Sequence, residues 1–353
     1  MRKLSRRNGA SSMTYRFSYD YDEFILGNNK TNDSAKTTGV VLIHPIGVGI
    51  GKWYHTRLFD SLSKQHIDNS RQYVFLSPDL LGSATASGPS TNNEKRIKSF
   101  PLLKITDWSN QLMVLMKEYE SKARVEGCSI HNWAIVANGG CSPIALQIGK
   151  NSITDSLLDA PVINIILSSP PRLPFFLEST NPIKVHKSYV TLSGILGKVF
   201  WWYALRRKGK FIQQFSEKNL VGNPSSLGED WTPNCLDTAK LNDGQSKCST
   251  FAFLAGALQD GCVESLNVLS GTDVNIDFIR GNDVRRNRAR SWFWGKKKMT
   301  SSVNIVNNET IQQFVERNGN GGRELFVEGR VSLAWEDADG YAKCLMELLS
   351  VEQ

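Results

Sequence analysis

The feature that most constrains this chain is a repeated alternation of short β-branched runs with longer amphipathic stretches. Gly39–His44 (GVVLIH), Tyr73–Ser77 (YVFLS), Trp133–Val136 (WAIV) and Val162–Leu167 (VINIIL) are too short for helices. They lack the polar alternation of a half-exposed strand, so they suit strands buried on both faces of a parallel sheet. Between them, Trp53–Lys64, Ile105–Val125 and Pro143–Gly149 read as helices, and Trp108, Leu112, Leu115 and Met116 fall on one face of the longest. The alternation predicts an α/β chain with a doubly wound, mostly parallel sheet. Tyr15–Leu26 adds strand-like alternation ahead of it. After Ser169 the pattern stops. Residues 170–261 are rich in Pro, aromatic and basic residues and hold no clear strand, which predicts a mainly helical inserted cap. Strand patterns return at Val274–Arg280 and Glu324–Glu328, Gly319–Gly322 reads as a flexible loop, and Glu336–Leu349 reads as a closing helix. The expected organisation is a disordered tail (1–13), the first part of the core (14–169), the cap (170–261) and the second part of the core (262–353).

A length of 353 residues fits one large core with an insertion. The formal net charge of +8 permits anionic partners without demanding them, and no nucleic-acid-binding module accompanies the charge, so no nucleic acid is expected. Cys128, Cys141, Cys235, Cys248, Cys262 and Cys344 form no CxxC pair and no zinc-like spacing. Neither a metal nor a cofactor is expected, and buried thiols in a soluble protein of a reducing compartment are. No run approaches the length of a membrane span; Val190–Leu205 comes nearest and Lys198 interrupts it. The basic, Ser-containing N-terminus lacks a signal-peptide core and reads as an organelle-transit remnant or a polar tail.

The informative stretch is Trp133–Ser142, WAIVANGGCS, where a strand ends in Ala137-Asn138-Gly139-Gly140-Cys141 and a helix follows. This resembles the α/β-hydrolase family, which sets its nucleophile on a strained strand–turn–helix with small flanking residues. Ala137 and Cys141 are small, and the nucleophile slot is Gly139. Other segments match in order. His44-Pro45-Ile46-Gly47 looks like the family's oxyanion loop, with the Ile46 amide as one donor and Gly140 as the other. Asp79-Leu80-Leu81-Gly82-Ser83 looks like its D-x-x-G-x-G/S loop. Arg280-Gly281-Asn282-Asp283 stands where the family carries its acid, and Gly329–Trp335 where it carries its histidine. His-Pro-Ile-Gly, Asn-Gly-Gly-Cys-Ser and Ser-Leu-Ala-Trp-Glu-Asp together resemble a little-characterised subgroup from photosynthetic organisms, which implies a plastid location as the alternative to the cytoplasm.

The departures decide the chemistry. The histidines are His44, His55, His66, His131 and His186, so none follows His186, and Arg330 stands near the place of the catalytic histidine. Acyl transfer by this route needs an attacking oxygen or sulfur and a base; glycine supplies no nucleophile, and arginine stays protonated. Asp283 remains as a candidate acid, free or paired with an arginine. Cys141 and Ser142 are the candidates for a displaced nucleophile, against buried filler for Cys141 and a helix cap for Ser142. Gly139-Gly140 either keeps an anion-accepting spot or merely allows close packing. His44 either lines the pocket or is a satisfied structural histidine, and Asp79 is read as stabilising its turn.

Three readings follow. The chain is a non-catalytic protein binding a small apolar or acyl ligand or docking a partner; or an ester hydrolase with a displaced nucleophile; or a peripheral membrane or scaffold protein. The last would use Trp201 and Trp202, followed by Arg206-Arg207-Lys208, and the basic stretch Asp283–Lys298 with Arg285, Arg286 and Arg288. The plain alternatives are a cap helix packed on the core and a helix with a solvated cationic face.

Overall fold

A computed structural model describes residues 2–8, 11–17, 20–27, 36–66, 70–86, 101–177, 180–206, 208–241, 246–259, 262–283, 311–317 and 319–350. Nine strands are described: β1 (Arg2–Asn8), β2 (Ser11–Phe17), β3 (Tyr21–Leu26), β4 (Lys36–Ile43), β5 (Arg71–Pro78), β6 (Ile130–Asn138), β7 (Val162–Ser168), β8 (Asn275–Gly281) and β9 (Glu324–Val327). Seven of them form one sheet in the order β3-β5-β4-β6-β7-β8-β9. Its edge strand β3 runs antiparallel to β5, and every other pairing is parallel. The remaining two, β1 and β2, pair antiparallel with each other over a stretch whose first part was expected to be unstructured; the alternating SSMTYRF of β2 suits an extended chain.

The sheet is buried on both faces. Along β4, Val41 and Ile43 join one apolar cluster while Val40 and Leu42 join the other; along β6, Trp133, Ile135 and Ala137 alternate in the same way with Ala134 and Val136. The helices α1 (Thr56–Leu62), α2 (Ile105–Val125) and α3 (Ser142–Thr154) connect the early strands. Gly39 is required where β4 meets β6, because a Cβ there would lie 2.3 Å from the Trp133 ring. The chain passes from β4 outward to β5 and then back across to β6, so β4 and β6 flank the point where the winding reverses. Ligand crevices of open α/β sheets form outside the carboxyl ends of strands at such a point.

The cap segment between β7 and β8 is helical: α4 (Leu173–Leu177), α5 (Pro182–Ser193), α6 (Ile195–Phe200), a π-helical turn over Trp201–Arg206, α7 (Gly209–Asn219), α8 (Trp231–Lys240) and α9 (Lys247–Ala255). The chain rejoins the core at α10 (Cys262–Leu269), which packs on α3. After α11 (Ile311–Arg317), the closing helix is split into α12 (Leu333–Glu336) and α13 (Ala338–Ser350). Asp337 causes the break: its backbone leaves the helical region, and its carboxylate accepts the Gly340 amide at 3.0 Å. The expected basic helix, with Arg285, Arg286, Arg288 and Trp292–Trp294, lies outside the described residues. No described helix is long and apolar enough to cross a membrane.

Candidate functional site

The strand β6 ends in a sharp turn. Asn138 is still extended, Gly139–Cys141 form a 3-10 turn, and α3 starts at Ser142. Gly139 has φ +54°, a conformation that L side chains adopt only under strain, and glycine takes it freely. Around it there is room: a Cβ at Gly139 would meet only Val331 Cγ1, at 3.8 Å. The next position is tighter, with Gly140 facing the Phe253 ring at 2.8 Å from a built Cβ. The elbow thus keeps its shape with no side chain at its tip.

Neither candidate for a displaced nucleophile reaches that tip. The Cys141 thiol is buried, donates to the His44 carbonyl at 3.4 Å, and is pushed up to about 12 by burial, an effect the neighbouring Ile46 main chain partly offsets. A thiol in that state stays protonated at neutral pH. The Ser142 hydroxyl is also buried and donates to the Gly139 carbonyl at 2.7 Å, closing the helix start. Both are packing residues, and neither lines the cavity at the elbow.

The loop after β4 behaves similarly. His44 is fully buried, its Nε2 accepts the Leu80 amide at 3.2 Å, and its Nδ1–H donates to the Pro45 carbonyl at 3.0 Å. Burial holds its pKa below the ordinary value despite the nearby Asp79 charge. The ring therefore ties two loops together rather than lining the pocket, because both nitrogens are already used. Asp79 fixes the second of those loops: one carboxylate oxygen accepts the Lys52 amide at 2.7 Å, and the other accepts both the amide and the hydroxyl of Thr85. Gln111 of α2 clamps the same loop, donating to the Asp79 carbonyl at 2.7 Å and accepting the Leu81 amide at 2.9 Å.

Asp283 and Arg330 form a lock. Asp283 accepts from Arg330 Nε at 3.0 Å and Nη2 at 2.9 Å, and the two side chains are only 10% and 15% exposed. Arg330 Nη1 also donates to the Lys218 carbonyl of the cap at 2.5 Å. Glu336 completes the corner: it accepts the Arg330 amide at 3.0 Å, the Gly222 amide at 2.7 Å and the Asn223 amide at 2.8 Å. Arg330 is thus held on Asp283 and on the Lys218 carbonyl. The residue that faces Gly139 is the next one, Val331, which sequence reasoning passed over.

Between elbow and cap lies a cavity of about 320 Å³. Its base is Ile46, Gly139, Gly140 and Val331, and Phe200, Phe211, Phe215, Phe253 and Leu254 come from the cap. The volume sits at the small end of the usual range for ligand sites. Asn138 also lines it; its Nδ2 donates to the Tyr54 hydroxyl at 3.0 Å, while its buried Oδ1 finds no partner. Among the described residues, no His, Asp, Glu, Lys or Arg lines this cavity. The cap residues were invisible to motif reasoning because they carry no local signature beyond being apolar. Of the two cap tryptophans expected at a surface, Trp201 is 2% exposed and packs edge-on against Phe251 at 5.7 Å, whereas Trp202 is 50% exposed.

Sequence comparison matches no family model and no curated protein. Solved structures do match. The peroxisomal α/β-hydrolase of Saccharomyces cerevisiae aligns over 100% of this chain and 90% of its own, with TM-score 0.58 and 11% identity. The 2-hydroxy-6-oxo-6-phenylhexa-2,4-dienoate hydrolase of Rhodococcus aligns over 99% of both chains, with TM-score 0.56 and 13% identity. A thioesterase domain from the curacin biosynthetic pathway aligns over 98% of this chain and 99% of its own, with TM-score 0.55 and 12% identity. The chain therefore has the α/β-hydrolase fold. At these identities the likeness defines the fold and leaves the activity to be argued from the site.

Proposed function

We propose that this chain is a non-catalytic α/β-hydrolase-fold protein that binds a small apolar or acyl ligand between elbow and cap. The observation that carries the reading is the cavity wall. Among the described residues it holds no His, Asp, Glu, Lys or Arg, and the group opposite the elbow tip is the methyl of Val331. The structural neighbours named above are hydrolases and a thioesterase; this chain retains the shape of such a site without its proton-transfer groups. The Gly140 amide, in the first turn of a helix where intrahelical acceptors are lacking, is suited to a carbonyl or hydroxyl oxygen. The unpaired Asn138 Oδ1 favours a head group that also donates, such as an alcohol, an amide or a protonated acid. The Phe-rich wall suits an acyl or alkyl body. The six cysteines, none shown in a disulfide among the described residues, fit a reducing compartment, whether plastid or cytoplasm.

The test is a thermal-shift series with medium-chain fatty alcohols, acids and amides, beside turnover of the matching aryl esters. Saturating ligand is expected to raise the melting temperature by about several degrees, with no ester turned over. Val331→Trp, which fills the space beside Gly139, is expected to abolish the shift while leaving the free protein folded. Ester turnover by the wild type, or a shift that persists in Val331→Trp, overturns the reading.

A further inference from the structure

Among the described residues, fifteen large apolar side chains are exposed, and nine of them fall between Ile183 and Phe215. They include Ile195 at 80%, Val199 at 57%, Trp202 at 50% and Tyr203 at 52% exposed. Isolated exposed apolar residues need no explanation, but a concentration of this kind in one segment does. The same segment has an extreme charge pattern. From Thr180 to Ser216 the chain carries seven Lys and Arg and no Asp or Glu. Lys184, Lys187, Lys198, Lys208 and Lys210 are all exposed, and none forms an ion pair among the described residues. The Lys208 ammonium lies 4.7 Å from the centre of the exposed Tyr203 ring.

We infer that this face of the cap docks onto an anionic phospholipid bilayer. Exposed Trp, Tyr and aliphatic side chains enter the interfacial zone, while lysines at the same level meet lipid phosphates. Charge selects the occupant. A second copy of this chain would set five exposed lysines against five, which repels. A neutral apolar partner would leave the lysines without counter-charges. The cavity relates directly to this face. Phe200, Phe211 and Phe215 line it and are themselves 47%, 40% and 38% exposed, so its mouth opens among the docking residues. Resting on the ligand reading above, this placement lets an acyl lipid pass between bilayer and cavity without crossing water. The docking itself stands on the cap surface alone.

The full chain is to be floated with vesicles of phosphatidylcholine and with vesicles of phosphatidylcholine mixed with phosphatidylglycerol. It is expected to float with the anionic vesicles, to be released by added salt, and to stay behind with phosphatidylcholine alone. Lys198→Glu/Lys210→Glu and Val199→Ser/Trp202→Ser are each expected to cut flotation at least about tenfold. None of these residues lines the cavity, so the thermal shift by fatty alcohol, measured without vesicles, should persist in both variants. Loss of that shift in the wild type with flotation intact would fail the ligand reading only. Equal flotation on both vesicle types, no flotation, or flotation unchanged in both variants overturns the docking. Salt-sensitive association in solution without flotation, abolished by the same variants, would overturn it too and assign the face to a protein partner.

Discussion

The turn at Gly139 and the corner at Asp283 are built in opposite ways. At the turn after β6 the tip is backbone alone: Gly139 holds φ +54° with only Val331 near the place of a Cβ. At the corner the side chains are joined: Asp283 is bonded to Arg330, which also reaches the cap through the Lys218 carbonyl. One half is an open shape and the other is a structural clamp. Under the non-catalytic reading proposed above, a serine at Gly139 or a histidine at Arg330 alone is expected to give no reaction, because the first would lack a base and the second a nucleophile.

The sharpest way to break this comparison is to cut the clamp. Asp283→Ala leaves the Arg330 guanidinium largely buried without its carboxylate and is expected to cost about 2–4 kcal/mol in denaturant unfolding. Replacing both partners by apolar residues, Asp283→Leu/Arg330→Met, should recover most of that loss. A loss under about 0.5 kcal/mol for Asp283→Ala would mean that the pair is no clamp. Next comes the response to acid, which concerns the loops supporting the elbow. His44 and His55 are both buried, and burial is the main force holding their pKa values down, well down for His55. Their ordinary value is near 6.5, so the unfolded chain takes up protons that the folded chain refuses. Their stabilising contribution is present above pH of about 6.5 and lost as the pH falls below it. The melting temperature should fall through that window, and His55→Gln should flatten the fall.

Smaller effects probe the elbow itself. Gly139→Ser has room for its side chain and is expected to cost about 1 kcal/mol, the strain of a left-handed residue, with no gain of esterase activity. A much larger cost would show that the open space at the tip is not there. Ser142→Ala removes only the buried bond to the Gly139 carbonyl and should cost about 0.5–1.5 kcal/mol, leaving ligand-induced thermal shifts unchanged.

What the sequence revealed was local. The parallel sheet was legible because runs such as GVVLIH and VINIIL carry their burial in their own composition. The elbow was legible because strand–helix contact demands small residues within a few positions. The clamp was only partly legible: Asp283 and Arg330 are 47 positions apart, and nothing in Gly329–Trp335 says that Arg330 turns to the acid while Val331 turns to Gly139. The same limit applies to Trp201 and Trp202. Adjacent aromatics read alike in sequence, but one step along a helical turn puts Trp201 into the core and Trp202 into solvent. Cys141 and Ser142 kept an open role in sequence for a similar reason. Only the fold shows each donating to a backbone carbonyl, and shows Val331 and the cap phenylalanines closing the wall.

The most direct measurement is mass spectrometry of the wild-type protein after incubation with a medium-chain acyl ester, under both native and denaturing conditions. The expected result is one intact ester held non-covalently per chain, lost on denaturation, with neither acid nor alcohol accumulating and no mass added to the protein. Hydrolysed products in excess of the buffer control, or an acyl adduct on Cys141 or Ser142, would contradict a cavity that binds without chemistry.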